Sequence, residues 1–177
     1  MNTGPLVRER KGGRAVGWRV WTVQERPEGV LLGSVIHEAL WTPCSPALAA
    51  CSYEAHHLAP DADCNCGFHA ARDPVDVFSY LHGRNESATI CRILGEVLLS
   101  GHLVETEGGW RASESYPLRL YLRDSELAAA LAGYGVPVLF PGCGWRTATS
   151  SSTASAGSPT NSCSAARMRS SPTAGSG

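Results

Sequence analysis

Lysine is almost missing from this chain: Lys11 is the only one, and arginine supplies the rest of the basic side chains. Acids and bases nearly balance, at a formal net charge of −1 over 177 residues. That balance gives no global reason to expect nucleic acid or an anionic membrane as partner. Long apolar runs are missing too. No stretch approaches the roughly 20 apolar residues that span a bilayer. Residues 1–30 are polar and charged, with Arg8, Glu9, Arg10, Lys11 and Arg14, and hold no apolar core like that of a secretory signal. The expectation is a cytoplasmic protein with reduced thiols. The motifs of large enzyme classes are also lacking. There is no phosphate-binding loop and no G-x-G-x-x-G. His37-Glu38 is followed by Ala39 and then Trp41, so neither H-x-E nor H-E-x-x-H is formed.

Two regions lack what a core requires. Residues 1–15 are rich in glycine and charge and are expected to form a disordered arm. Residues 141–177 are dominated by Ser, Thr, Ala, Gly and Pro, with no Asp or Glu. Such a segment cannot bury enough apolar surface to offset chain entropy, so a disordered low-complexity tail is expected there. Residues 16–140 remain as a single domain of modest core.

Within that domain, residues 18–23 alternate and are rich in aromatic and β-branched side chains, the pattern of a strand. Pro27-Glu28-Gly29 is a turn, after which residues 30–36 pair back. Residues 67–71 read as a short strand. Asp73-Pro74 caps a helix with Val75, Phe78 and Leu81 on one face. Residues 89–104 read as a strand with Gly95 as a bulge, and residues 110–122 as its antiparallel partner after the turn at Gly108-Gly109. Asp124 caps a second helix over residues 125–132, ended by Gly133, and residues 134–138 form a closing edge segment. The predicted fold class is α+β, an antiparallel sheet of about five or six strands with two short helices.

What the chain does have is a concentration of soft and borderline donors. Residues 51–69 hold Cys51, His56, His57, Cys64, Cys66 and His69. Seven cysteines, an odd number, argue against a complete disulfide framework. In a reducing compartment, clustered Cys and His read first as metal ligands. The segment around them, residues 41–63, is interrupted by Pro43, Pro46 and Pro60 and has no period. A long structureless connection inside a compact domain needs something to hold it, and a bound metal would do so. Zinc takes four ligands in a tetrahedron, usually from two short elements. Cys64-Asn65-Cys66 is one, provided that Gly67 takes a positive φ and turns the backbone so that both sulfurs converge. Cys51 with a histidine is the other. The predicted set is Cys51, His57, Cys64 and Cys66, with His56, His69 and Cys44 as alternatives. Asp61 and Asp63 are candidate acceptors for an imidazole N–H. Zinc is the leading metal; an iron–sulfur cluster would need a fourth thiolate, which Cys44 would have to supply. Cys91 falls in a predicted strand and reads as core.

A resemblance runs through the same residues. Gly17-Trp18-Arg19, Trp41-x-Pro43, Cys51, His57-x-Ala59-Pro60, Cys64-x-Cys66-Gly67 and Ala70 resemble a group of small, uncharacterised actinobacterial proteins. Gly95-x-Val97, Trp110-Arg111-Ala112, Tyr116-Pro117 and Tyr134-Gly135-Val136-Pro137 continue the likeness, over about residues 16–138. The resemblance implies that Cys51, His57, Cys64 and Cys66 belong to the motif and that Cys44, His56 and His69 do not. It implies no activity.

One more pattern was weighed. Arg111, Arg119 and Arg123 with Trp110, Tyr116 and Tyr121 suggest a basic-aromatic face for single-stranded nucleic acid. The arginines and two of the three aromatics differ in parity, so half-buried sheet aromatics flanked by solvated arginines are the better account. The functional expectation is a non-enzymatic, metal-binding interaction or regulatory module with an unknown protein partner. The alternatives are a metal-dependent enzyme with an open coordination position, and an iron–sulfur redox or sensor protein.

Overall fold

A computed structural model describes residues 7–53, 57–83, 85 and 87–140. The tail expected over 141–177 lies outside the described residues. The first strand, β1 (Arg8–Arg26), already begins inside the arm expected over residues 1–15. Residues 8–15 pair with residues 99–105 of β6 (Thr89–Glu105), and Arg10 meets Glu105 at 3.1 Å. A strand of this length is sustained by its partner: Gly12, at φ +75°, lets the chain bulge beside Gly13 where a bulkier residue would break the ladder.

β1 turns into β2 (Gly29–Gly33), which pairs with β3 (Leu40–Trp41). β4 (Ala47–Leu48) and β5 (Phe68–Ala71) both pair with β7 (Gly109–Tyr121). β7 runs antiparallel to β6 along most of its length, and β8 (Val138–Leu139) lies parallel to the end of β7. The fold is α+β, as predicted, but the sheet has eight strands where five or six were expected, and one pair is parallel. The extra strands β3, β4 and β8 are two residues long and carry no period of their own. They exist because a longer neighbour offers its edge.

The pairings form a ring. β1 pairs with β6, β6 with β7, β7 with β5, and β5 returns to β1 at Trp18 opposite Ala71. Long strands close in this way only if they bend, and the register shifts between β6 and β7 supply the bends, one at Glu96/Val97, where β7 carries the extra residue, and one between Ser100 and Leu103, where β6 does. Gly101, at φ +81°, occupies the second. Gly95 is not the bulge. It is the place where the Trp21 ring crosses β6, and a Cβ there would lie 2.7 Å from that ring.

The interior is packed around Trp21 and Trp41, both fully buried and edge-on to each other at 6.1 Å, with Phe68, Leu99, Leu120 and Leu131 around them. Asp73 does cap the first helix, accepting from the Val75 N–H at 2.8 Å, but the element is a 3-10 helix, Pro74–Leu81. Its buried residue is Val77, whereas Val75 and Phe78 face outward. Asp124 caps α1 (Ser125–Ala130), accepting from the Glu126 and Leu127 N–H groups. The chain continues as a 3-10 turn, Leu131–Tyr134, and stops at Gly135 in the left-handed region, two residues past the predicted end. That turn places Tyr134 in the core. Its hydroxyl donates to Trp41 O at 2.5 Å and accepts from the Leu32 N–H at 2.9 Å, and burial pushes the phenol up to about 12, so it stays protonated.

Tyr134→Phe keeps the ring and removes both bonds inside the core. Stability is expected to fall by about 1–3 kcal/mol, the cost of stranding buried polar groups. Urea unfolding should show a lower midpoint at unchanged slope.

Candidate metal centre

The described residues between β4 and β5, 49–53 and 57–67, have no regular structure, and both ends of the connection are anchored to β7. The Ala49 N–H donates to Ser113 O at 2.8 Å, and Phe68 pairs with Ala112. Between the anchors, a tight turn follows Pro60. The Asp61 carboxylate accepts from the Asp63 N–H at 2.9 Å, and the Cys64 N–H reaches Asp61 O at 3.3 Å. Gly67 takes φ +103°, the positive value the sequence required. A side chain there would also crowd Pro60, at 2.9 Å, and Ala112 O, at 3.2 Å.

These turns bring together Cys51, His57, Cys64 and Cys66, the predicted set. One donor atom from each lies within 4.8 Å of all the others, so the group can hold a metal ion. The edges are informative. A tetrahedral zinc site with its usual bond lengths has sulfur–sulfur edges of about 3.8 Å and sulfur–nitrogen edges of about 3.6 Å. Cys51 Sγ and Cys64 Sγ are 3.8 Å apart, and His57 Nε2 and Cys66 Sγ 3.3 Å. The donor set, three thiols and an imidazole, suits a borderline or soft ion. Cys66 is buried and the other three are half-buried. Burial pushes the Cys66 thiol up to about 11, Cys64 and Cys51 add to the rise, and a hydrogen bond with the Asp61 backbone opposes it. A cation must therefore displace protons on entering. A cavity of about 330 Å³ lined by Tyr53, His57, Asp61 and Asp63 opens beside the group and gives a path in.

The residue that sequence reasoning missed is Arg111. It was expected among solvated arginines, yet it is only 7 % exposed. From β7, opposite His69, its guanidinium donates to the carbonyls of Asp61, Cys64 and Cys66 through Nη1 and of Ala62 through Nη2. Three thiolates and a neutral imidazole around a divalent ion leave about one net negative charge, which Arg111 offsets. In sequence it stood out only as part of the Trp-Arg-Ala run and of the basic-aromatic pattern, neither of which points to the metal group. The remaining β7 pattern is structural: Arg119 pairs with Glu96 at 2.6 Å, and Trp110 lies beneath Arg72 at 4.3 Å.

The described alternatives, His69 and Cys44, stand apart from the group. His56 lies outside the described residues. His69 sits on β5 with Nε2 3.0 Å from Asn65 O, its pKa lowered chiefly by burial and then by the nearby Arg19 and Arg111 charges. Cys44 is held elsewhere: its N–H donates to Tyr116 Oη at 2.8 Å, and its sulfur lies 3.6 Å from Gly133 O. Asp61 serves the turn and Arg111 through its carboxylate and carbonyl. Cys91 is half-buried on β6.

No family model matches this chain, and no curated protein or solved structure is similar to it.

Cys64→Ser and Cys66→Ser should each abolish stoichiometric metal uptake measured by elemental analysis, while His69→Ala should retain it. Uptake lost in His69→Ala and kept in His57→Ala would overturn the assignment. Arg111→Met should leave all four donors in place yet weaken metal affinity about tenfold or more in a chelator competition, the range seen when groups supporting the ligands are removed.

Proposed function

We propose that this is a small metal-binding protein in which one zinc ion, held by Cys51, His57, Cys64 and Cys66, pins residues 41–69 onto the barrel and so creates a surface for a protein partner. The observation that carries this reading is the mutual spacing of the four donors, all within 4.8 Å. That spacing suits one ion with four protein ligands. A polynuclear iron–sulfur cluster spreads its thiolates around several metal atoms, and Cys44, the fourth cysteine it would need, sits at Gly133 and is disulfide-bonded. Four protein ligands fill a tetrahedron and leave no position for water or substrate, which favours a structural role over a catalytic one. On the pinned segment, Leu48, Tyr53 and Leu58 are exposed to 75 %, 62 % and 89 %. Exposed apolar side chains gathered on one segment suit contact with another protein. Three cysteines gathered with a histidine in one group suit metal binding in a reducing compartment, and we place the protein in the cytoplasm. Among the described residues no helix is long and apolar enough to cross a membrane.

The test is elemental analysis and an absorbance spectrum of the anaerobically purified full chain. One zinc per chain without visible absorbance is expected, and its removal by chelator should lower the melting temperature, because binding energy at a structural site is folding energy. Iron with a broad visible band would move the function to redox sensing. Absence of any metal would overturn the reading.

A further inference from the structure

A cavity of about 1000 Å³ opens where the sheet splits along one edge of β1. β2 pairs with β1 at residues 22–26 and β5 pairs with it at Trp18. Among the described residues, Arg19, Val20 and Trp21 have no strand on that side. Arg19 stands in the split. Its Nη1 donates to His69 O at 2.7 Å, its Nη2 to Ser34 Oγ at 3.1 Å, and the guanidinium lies 4.9 Å over the Trp41 ring. All three partners are neutral. Nε is enclosed and has no hydrogen-bond partner. Among the described residues no carboxylate lies within ion-pair distance of Arg19, in contrast to Arg10, Arg72 and Arg119. Burial lowers the Arg19 pKa to about 10, so the group is still a cation at neutral pH.

A desolvated charge without a counter-ion is costly to a fold and is kept where an incoming anion completes it. The cavity is of ligand size and otherwise mixed, with Phe68, Ala70 and Val77 buried along it and Ile36 and Leu48 exposed at its mouth. Glu38 and Asp76, both exposed, also line it and oppose a multiply charged anion.

We propose that this cavity binds a small monocarboxylate with an apolar body, its carboxylate paired with the Arg19 guanidinium. Nη1 and Nη2 each use one N–H on His69 O and Ser34 Oγ, and the second N–H of each is left for the ligand. Cys51 and Cys66 line the cavity too, but the anchor is made by β1, Ser34, Trp41 and β5 and uses none of the four metal donors, so its pairing with a carboxylate is tested separately from metal uptake.

The experiment titrates the full chain with benzoate and, in parallel, with the neutral isostere benzamide, followed by calorimetry and by tryptophan fluorescence, since Trp18 and Trp41 are at the site. Benzoate is expected to bind saturably and about tenfold or more tighter than benzamide, the margin of a charge-assisted pair over a neutral one. Arg19→Gln should erase the difference. Leu48→Trp, at an exposed position of the mouth, should weaken both probes several-fold with an unchanged circular dichroism spectrum, so the proposal remains testable should Arg19→Gln not fold. Lack of saturable benzoate binding, equal affinity for the two probes, or a benzoate preference that survives in folded Arg19→Gln would each overturn it. A benzoate preference in a chain that takes up no metal would uphold the cavity and sink the zinc reading alone.

Discussion

The candidate metal centre depends on one buried guanidinium. Residues 57–67 have no ladder to satisfy their backbone carbonyls, and buried carbonyls without donors are expensive. Arg111 resolves this from outside the segment, reaching from β7 to the carbonyls of Asp61, Ala62, Cys64 and Cys66. Arginine suits the task because its planar fork presents several donors in fixed directions and stays charged when buried. Its positive charge also lies where thiolates would gather negative charge. The turn geometry of Asp61 and Gly67 shapes the loop, but the arginine fixes its position on the barrel.

A second guanidinium works on the other side of the same strand. Arg19 holds His69 O while Arg111 holds Cys66 O, so the short β5 is gripped just before and within its four residues. Trp41 joins the two regions. It lies under Arg19, packs against Trp21 and Phe68, and donates through Nε1 to Ser115 Oγ at 3.2 Å. β3 is only two residues long, and this burial of Trp41, with the Tyr134 hydroxyl on its carbonyl, is what secures it. The metal group and the Arg19 cavity thus adjoin: Cys51 and Cys66 line the cavity as well as belonging to the donor group.

Much of the candidate site was legible in the sequence because its determinants are local. Cys64, Cys66 and Gly67 are adjacent, Cys51 and His57 are near them, and donor chemistry narrows the choice. The helix caps at Asp73 and Asp124 were legible for the same reason, since a cap bonds to residues two or three positions on. The strands of β6 and β7 showed in their composition and in the turn between them. The extent of β1 did not, because glycine and charge describe its first residues as coil and only pairing with β6 makes them a strand. Gly95 was misread for a related reason: glycine in a strand marks either a bulge or a close approach, and the Trp21 ring that decides between them is 74 positions away in sequence.

The sequence by itself determined the α+β class, the caps and turns, and the short list of Cys and His side chains chemically fit to hold a metal, since each of these follows from residue type and short spacing. Tertiary structure alone decided that the strands close in a ring, that two-residue segments join the sheet, and that Arg111 and Arg19 are buried while Arg119 is paired at the surface. The three arginines are identical in chemistry. What separates them is the environment that folding brings to each, loop carbonyls for one, a cavity wall for another and a carboxylate for the third, and such an environment is a sum of long-range contacts that no local pattern encodes.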